Sequence, residues 1–125
     1  MMTRGIRRRR SAVVAVLSAG ALALATGSAS AAPTLINVGS PTGVYETTHT
    51  RDGKVGVPDL GFGDAIVADC WGRGDNIGNR GNVWYHTLSE RYNASTRQEL
   101  FVEGWTYGAY VDGNAAFHSG AFREC

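Results

Sequence analysis

The 125-residue chain has only two cysteines and three prolines, and beyond residue 31 it has no long apolar run. A bilayer-spanning helix needs roughly 20 consecutive apolar residues, so the sequence argues against a membrane-anchored protein. Metal-binding spacings are also lacking, because the three histidines stand far apart and the acidic residues between 69 and 79 lack the alternation of a calcium loop. We therefore predict neither a metal site nor a cofactor.

The first 31 residues have the features of an export signal. Five arginines within the first ten residues precede a small-to-apolar run over 11–25, and residues 29–31 (Ala-Ser-Ala) suit a signal peptidase. We predict a cleavable signal peptide over 1–31 and a mature protein that begins at Ala32. The residues after the arginines match a twin-arginine motif poorly, which favours a Sec-type route. The predicted location is secreted, either extracellular or associated with the cell wall.

Positive charge is scarce after this segment. Seven of the twelve basic residues and all eleven acidic residues lie in 32–125, which gives that part a net charge of −4. Surfaces that bind nucleic acid or anionic membranes concentrate lysine and arginine, because neutralising phosphates supplies most of the non-specific affinity. We therefore predict no nucleic-acid partner, and no membrane partner once the signal is removed.

The two cysteines predict one structural disulfide, between Cys70 and Cys125. Outside the cytosol thiols are not kept reduced, so two cysteines in an exported chain usually pair. Neither cysteine has another cysteine or a histidine at the short spacing that a metal site or reactive thiol would favour. The bridge would fasten the C-terminal tail.

Helical periodicity is missing beyond residue 31, because no segment there keeps apolar residues at helical spacing for three or four turns. Instead, short runs rich in β-branched and aromatic residues are separated by turns rich in glycine and asparagine. These runs are 44–50, 54–60, 64–71, 83–88 and 99–107, with long loops predicted at 72–82 and 89–98.

This pattern predicts an all-β domain over 44–125 with about five strands and long loops, arranged as a small barrel or sandwich. Residues 32–43 contain two prolines and two glycines and are predicted to form a flexible lead-in. The domain ends in a tail over 108–125. Within it, we expect Ile66, Ala68 and Cys70 to share the core face of one strand, and we expect three aromatic residues to fill the interior: Tyr85, Phe101 and Trp71.

Four pieces of the chain carry a resemblance to a known family: LGFGDAIV at 60–67, CW at 70–71, VWYHT at 83–87 and GWTYGAYV at 104–111. Their order and character resemble the bacterial SH3-like (SH3b) domain, especially its exported actinobacterial type. The arginine-glycine-proline stretch that usually marks the family's first long loop is absent, and TRDG at 50–53 stands near its place. The resemblance implies an SH3-like barrel.

By position, the resemblance nominates Trp84, Trp105 and Tyr110, with Tyr45 as a weaker fourth, as residues that line a shallow peptide-binding groove. Aromatic faces provide large apolar contacts at low entropic cost and stack on prolines, sugars or peptide planes. The alternative is that these rings fill the core, because the mature part has few large aliphatic residues. We predict a monomeric, non-catalytic binding module for a peptide or a cell-wall (peptidoglycan) component.

Two other readings stay open at this stage. A secreted effector or protease inhibitor could act through the loops at 72–82 and 89–98, and a barrel without a ligand could serve in surface assembly. Catalysis is not expected, because His86 next to Thr87 and His118 next to Ser119 show adjacency in sequence only. The tripeptide Arg-Gly-Asp at 73–75 is short enough to occur by chance.

Overall fold

The computed structural model describes residues 32–93 and 98–125 and shows a five-stranded antiparallel sheet. The predicted signal peptide over 1–31 lies outside these residues. The strands are β1 (Thr34–Asn37), β2 (Val44–Tyr45), β3 (Ala65–Arg73), β4 (Val83–Arg91) and β5 (Glu99–Tyr107), in the spatial order β1-β3-β4-β5-β2. The all-β prediction is confirmed at this level.

The remaining elements are a 3-10 turn, Thr50–Asp52, and two short helices, α1 (Gly108–Asp112) and α2 (Ala115–Ser119). The sequence pattern placed only a tail here, because five residues are too few to show helical periodicity. Each helix ends at a glycine with left-handed backbone, Gly113 and Gly120, a conformation that glycine adopts without steric cost. In the described part of the chain, no helix has the length and apolarity needed to cross a bilayer.

The segment predicted as a flexible lead-in contributes a strand, so that prediction is wrong. In β1, Thr34 pairs with Ala68 and Asn37 with Ala65, while Ile36 is buried in the core. Prolines and glycines dominate the composition around these four residues. The strand itself is too short for its alternation to stand out in the sequence.

β4 extends to Arg91, so the predicted loop at 89–98 is shorter than expected. Ser89 and Glu90 are buried within the strand despite being polar. A pattern that equates polarity with a loop cannot detect buried polar strand residues. Residues 94–97 lie outside the described part of the chain.

The main core lies on one face of the sheet, beneath both helices and the C-terminal tail. Tyr85 of β4 is fully buried there as predicted, and its ring centroid lies 5.0 Å from that of Phe122 in the tail. Burying apolar surface of this kind is the dominant favourable term in folding. The buried residues of this cluster are Ile36, Val38, Val44, Leu60, Ile66, Ala68, Val83, Tyr85, Val111, Ala116 and Phe122.

A β-bulge in β3 reverses the expected alternation halfway along the strand. Ile66 and Ala68 are fully buried as predicted, but the pairing register shifts between Ala68 and Cys70. Cys70 then pairs with His86 and shares its face, while Trp71 packs against the core. The expectation that Cys70 faces the core is therefore wrong, because a bulge adds one residue to the period of two.

The predicted disulfide between Cys70 and Cys125 is confirmed, with an S–S distance of 2.01 Å. It holds the tail against β3, where the Trp71 amide donates to the Arg123 carbonyl at 3.0 Å and the Cys125 amide donates to the Trp71 carbonyl at 2.8 Å. The tail thereby covers the edge of β3 beyond the end of β1.

Phe101 is 84% exposed, so its predicted place in the core is wrong. In β5, a period of two places Phe101 with Glu99 and Glu103 on the face away from the main core. We call this the outer face. The described strands end at two sheet edges, β1 and β2, and do not close into a barrel.

Candidate functional site

Four aromatic rings form a continuous row at one end of the outer face. Centroid distances are 5.6 Å between Tyr45 and Trp84, 5.1 Å between Trp84 and Tyr107, and 4.9 Å between Tyr107 and Tyr110. These separations and the tilted or edge-to-face angles are those of favourable aromatic pairs. The row therefore brings together side chains from β2, β4, β5 and α1.

Trp84 forms the interior of this row. Its side chain is 0% exposed, and its indole nitrogen donates to the Asp75 carbonyl at 3.0 Å. The 72–82 loop thus covers the indole. In this structure Trp84 cannot touch a ligand as the resemblance implied, and it instead supports the two rings beside it.

Tyr45 and Tyr110, two of the four nominated residues, both line a shallow groove of about 200 Å³. Tyr107 also lines it, and the pairing of β4 with β5 fixes the position of Tyr107 opposite Trp84. Because strands hold the backbone of Tyr45 and Tyr107 and helix α1 holds that of Tyr110, little ordering entropy is lost when a ligand binds. The remaining lining residues are Pro41, Thr42, Gly43, Lys54, Asp59 and Ile77.

An ion pair lines one side of the groove. The Lys54 ammonium donates to both carboxylate oxygens of Asp59, at 2.9 and 3.1 Å, and lies 5.9 Å from the centroid of the Tyr45 ring. The hydrogen bond to Asp59 raises the pKa of Lys54. The groove therefore combines aromatic walls with one charged donor and one charged acceptor.

Trp105 lies beside the groove and is not among its lining residues. It pairs with Tyr45 across β5 and β2, and its half-buried ring lies 5.0 Å from that of His86. The ring extends over Gly72 of β3, where a Cβ atom would approach it to 2.9 Å. Of the four nominated residues, two line the groove, one supports it and one lies on the adjoining sheet surface.

The 72–82 loop is fastened at two points. The Tyr107 hydroxyl donates to the Gly81 carbonyl at 2.6 Å and accepts from the Ile77 amide at 3.1 Å. The Asp75 carboxylate lies 2.9 Å from the His49 Nδ1 and accepts from the Thr50 amide at 2.9 Å. These hydrogen bonds lower the pKa of Asp75, and the one with His49 has the largest effect. Asp75 is thus engaged within the molecule, which supports a chance origin for the Arg-Gly-Asp tripeptide.

His86 lies between two carboxylates on the outer face. Its Nδ1 is 2.7 Å from Asp69 and its Nε2 is 3.2 Å from Glu103. Both ring nitrogens are thus occupied by carboxylates, which leaves neither facing a nucleophile. Asp69, Cys70 and His86 place three possible metal donors within 4.8 Å of one another, but the Cys70 sulfur is bonded to Cys125, so no thiolate is available.

Sequence reasoning missed seven of the nine lining residues, among them Tyr107, Pro41, Lys54 and Asp59. Tyr107 lies on the same face of β5 as Trp105, because residues two apart in a strand share a face. Once the strand is recognised, this alternation could have nominated Tyr107. Pro41, Lys54 and Asp59 lie in irregular segments that only the tertiary fold brings together.

No protein-family model, no curated protein and no solved structure matches this chain.

Proposed function

We propose that this protein is a secreted, non-catalytic binding module with an SH3-like architecture, and that its aromatic groove takes a peptide or a peptidoglycan segment. The observation that carries the proposal is the row of rings from Tyr45 to Tyr110, which opens into a groove. Ligand sites in proteins are typically concave, apolar and largely pre-formed, with a few polar groups that orient the ligand. This groove has that composition.

The ion pair suggests the chemistry of the ligand. A ligand that stacks on Tyr45 and Tyr110 would have its polar ends near Lys54 and Asp59. Peptides and the peptide stems of bacterial cell walls carry carboxylates and amines along a compact chain, which these two side chains can match. The groove is small, so it would hold one residue or one sugar ring of such a chain at a time.

Retention on purified peptidoglycan, measured at two salt concentrations with the purified, oxidised protein, tests this proposal. We expect Tyr110→Ala to lower retention about tenfold, because one stacking contact is worth roughly 1.4 kcal/mol. Tyr110→Phe, which keeps the ring, should retain most of the binding. Phe62→Ala removes an exposed ring that does not line the groove and should leave retention unchanged.

Circular dichroism and the urea midpoint would establish that each variant is folded. Undiminished retention by a folded Tyr110→Ala variant would exclude the groove as the binding site. No retention by the unmodified protein at either salt concentration would exclude peptidoglycan as the ligand and leave the peptide alternative.

A second candidate function is protease inhibition through the 72–82 loop, favoured by the fastening of that loop to Tyr107 and His49. The exposed tip carries Arg80 and two residues with left-handed backbone, Gly78 (φ 61°) and Asn79 (φ 60°). An exposed loop held by a rigid scaffold loses little entropy when a protease binds it.

Inhibition of a trypsin-like protease tests this second candidate. Arg80→Ala should raise the inhibition constant at least about tenfold, because such enzymes recognise a basic side chain. Gly74→Ala should also weaken inhibition, since a methyl group there would overlap the Thr48 carbonyl and loosen the loop. Full inhibition by both variants would exclude this loop as the inhibitory surface.

A further inference from the structure

Strand β5 has no partner strand among the described residues along half of one of its two edges. β5 pairs with β4 along its length, but on the other side it pairs with β2 only at Trp105 and Thr106. Within 32–93 and 98–125, no strand covers this side of residues 100–103. Every second residue there presents its amide and carbonyl to the open side, which is a template for an added strand.

A row of outer-face side chains that is apolar except for Ser89 crosses the sheet and ends at this open edge. Leu35 pairs with Val67, Val67 with Ser89, and Ser89 with Phe101, so all four side chains share the outer face. Leu35 is 54% exposed and Phe101 is 84% exposed. Exposed apolar patches on small proteins commonly mark interaction sites.

Carboxylates flank Phe101 on the same face of the strand. Glu103 is 81% exposed, and its ion-pair partner among the described residues is the His86 ring, at 3.2 Å. Glu99 already accepts from Arg91 at 2.8 Å. The open edge therefore presents an aromatic side chain with a carboxylate two residues away on either side, and of these two carboxylates Glu103 has no Lys or Arg partner in the described chain.

This charge pattern disfavours a second copy of the chain as the occupant. If two copies of β5 paired antiparallel about Phe101, Glu99 of each would lie opposite Glu103 of the other. Like charges directly opposite each other in a sheet are destabilising, and residues 32–125 carry a net charge of −4. A basic side chain would meet the opposite condition at Glu103, whereas Glu99 already pairs with Arg91.

We propose that the open edge of β5 binds an extended segment of a partner protein in which one apolar residue is flanked, two positions away on each side, by basic residues. The segment adds to the sheet with its apolar side chain against Phe101 and one basic side chain opposite Glu103. This site is separate from the groove and does not depend on the function proposed for it.

Two blocked heptapeptides test the proposal, Thr-Lys-Thr-Leu-Thr-Lys-Thr and its counterpart with glutamate in place of lysine. We expect the purified, oxidised protein to bind the lysine peptide at least about tenfold more tightly, as measured by calorimetry. Hydrogen exchange should show slower exchange of amides within 100–103 when the lysine peptide is bound. That readout distinguishes strand addition from unspecific charge attraction.

Substitutions at Glu103 and Phe101 test the two proposed contacts separately. Glu103→Lys should reverse the preference between the two peptides, and Phe101→Ser should weaken binding of the lysine peptide about tenfold. The matched control is Phe62→Ser, because Phe62 is 82% exposed but lies outside the strands, and it should bind like the unmodified protein. Tyr110→Ala should also bind normally, which separates this site from the groove.

Equal affinity for the two peptides, or binding that survives Phe101→Ser unchanged, would overturn the proposal. So would no binding of either peptide, which would mean that the carboxylates only protect the edge from other chains. Self-association of the unmodified protein that is lost in Phe101→Ser would assign the edge to a second copy and would likewise overturn it.

Discussion

Replacing both Cys70 and Cys125 by serine is expected to lower the free energy of unfolding by up to about 4 kcal/mol. The bridge joins residues 55 positions apart, so it removes a large part of the conformational freedom of the unfolded chain. The figure is an upper value, because residual structure in the unfolded chain subtracts from it. A domain of this size buries a modest fraction of its surface, and a loss of this magnitude is a large part of its stability.

The loss should begin in the C-terminal tail. Without the bridge, the tail is held by backbone hydrogen bonds to Trp71 and by the burial of Phe122 against Tyr85. Hydrogen exchange should therefore accelerate first at the amides of residues 71 and 125, which make those bonds. Local opening of this kind is expected where few contacts hold a segment.

Urea unfolding measures the effect, with the unmodified protein in reductant as the matched control. Reduced protein and the double variant should have the same lowered midpoint, because both lack only the bridge. A midpoint equal to that of the oxidised protein would show that the tail is held by its packing alone and that the bridge contributes little.

Glu90→Gln is expected to raise the free energy of unfolding at pH 8 by up to about 3 kcal/mol, an upper value because the buried amide of glutamine would lack an acceptor. The Glu90 side chain is fully buried, and one of its carboxylate oxygens has no hydrogen-bond partner among the described residues. The other accepts from the Tyr92 hydroxyl at 2.9 Å. Burial is the main cause that raises the pKa of Glu90 to about 7, and the negative charges of Asp59 and Asp64 add to it.

The pH dependence follows from that shift. The folded protein holds the Glu90 proton more tightly than the unfolded chain, whose glutamates titrate near 4.5. The contribution of Glu90 to stability is therefore fully present below about pH 4.5, and it is lost as the pH rises to about 7. Glutamine is neutral throughout and can still accept from Tyr92, so the variant should not show this loss.

Urea unfolding at pH 4.5, 6 and 8 would compare the unmodified protein with Glu90→Gln. Glu46→Gln is the matched control, because Glu46 is exposed and should leave the pH profile unchanged. If the profiles of the unmodified protein and Glu90→Gln run parallel over this range, Glu90 does not control the pH dependence of stability.

Local sequence information was sufficient for the central strands and for the disulfide. The strands β3, β4 and β5 are long runs of β-branched and aromatic residues between turns, and such runs favour extended backbone wherever they occur. The Cys70–Cys125 pairing followed because the chain contains only these two cysteines. Both inferences depend on residue types and on composition, and neither requires knowledge of distant contacts.

Tertiary structure decided which side chains of those strands face the core and which face solvent. One bulge between Ala68 and Cys70 turns Cys70 outward and Trp71 inward, and a pattern of period two cannot anticipate an inserted residue. Phe101 was predicted to be buried from its residue type, yet it lies on the exposed face at a sheet edge. A side chain's hydrophobicity does not indicate which face of a sheet the fold covers.

The candidate site shows the same division. The resemblance to SH3-like domains nominated Tyr45 and Tyr110, which line the groove, but it also nominated Trp84, which the 72–82 loop covers completely. Lys54 and Asp59 lie in the run 54–60, which the pattern predicted as a strand but which is irregular apart from single bridges at Lys54 and Leu60. Residue types and their alternation determined the strands and the covalent bridge, because these depend on neighbours along the chain. Exposure and convergence depend on distant segments packing together, so only the tertiary structure decided which rings form the groove.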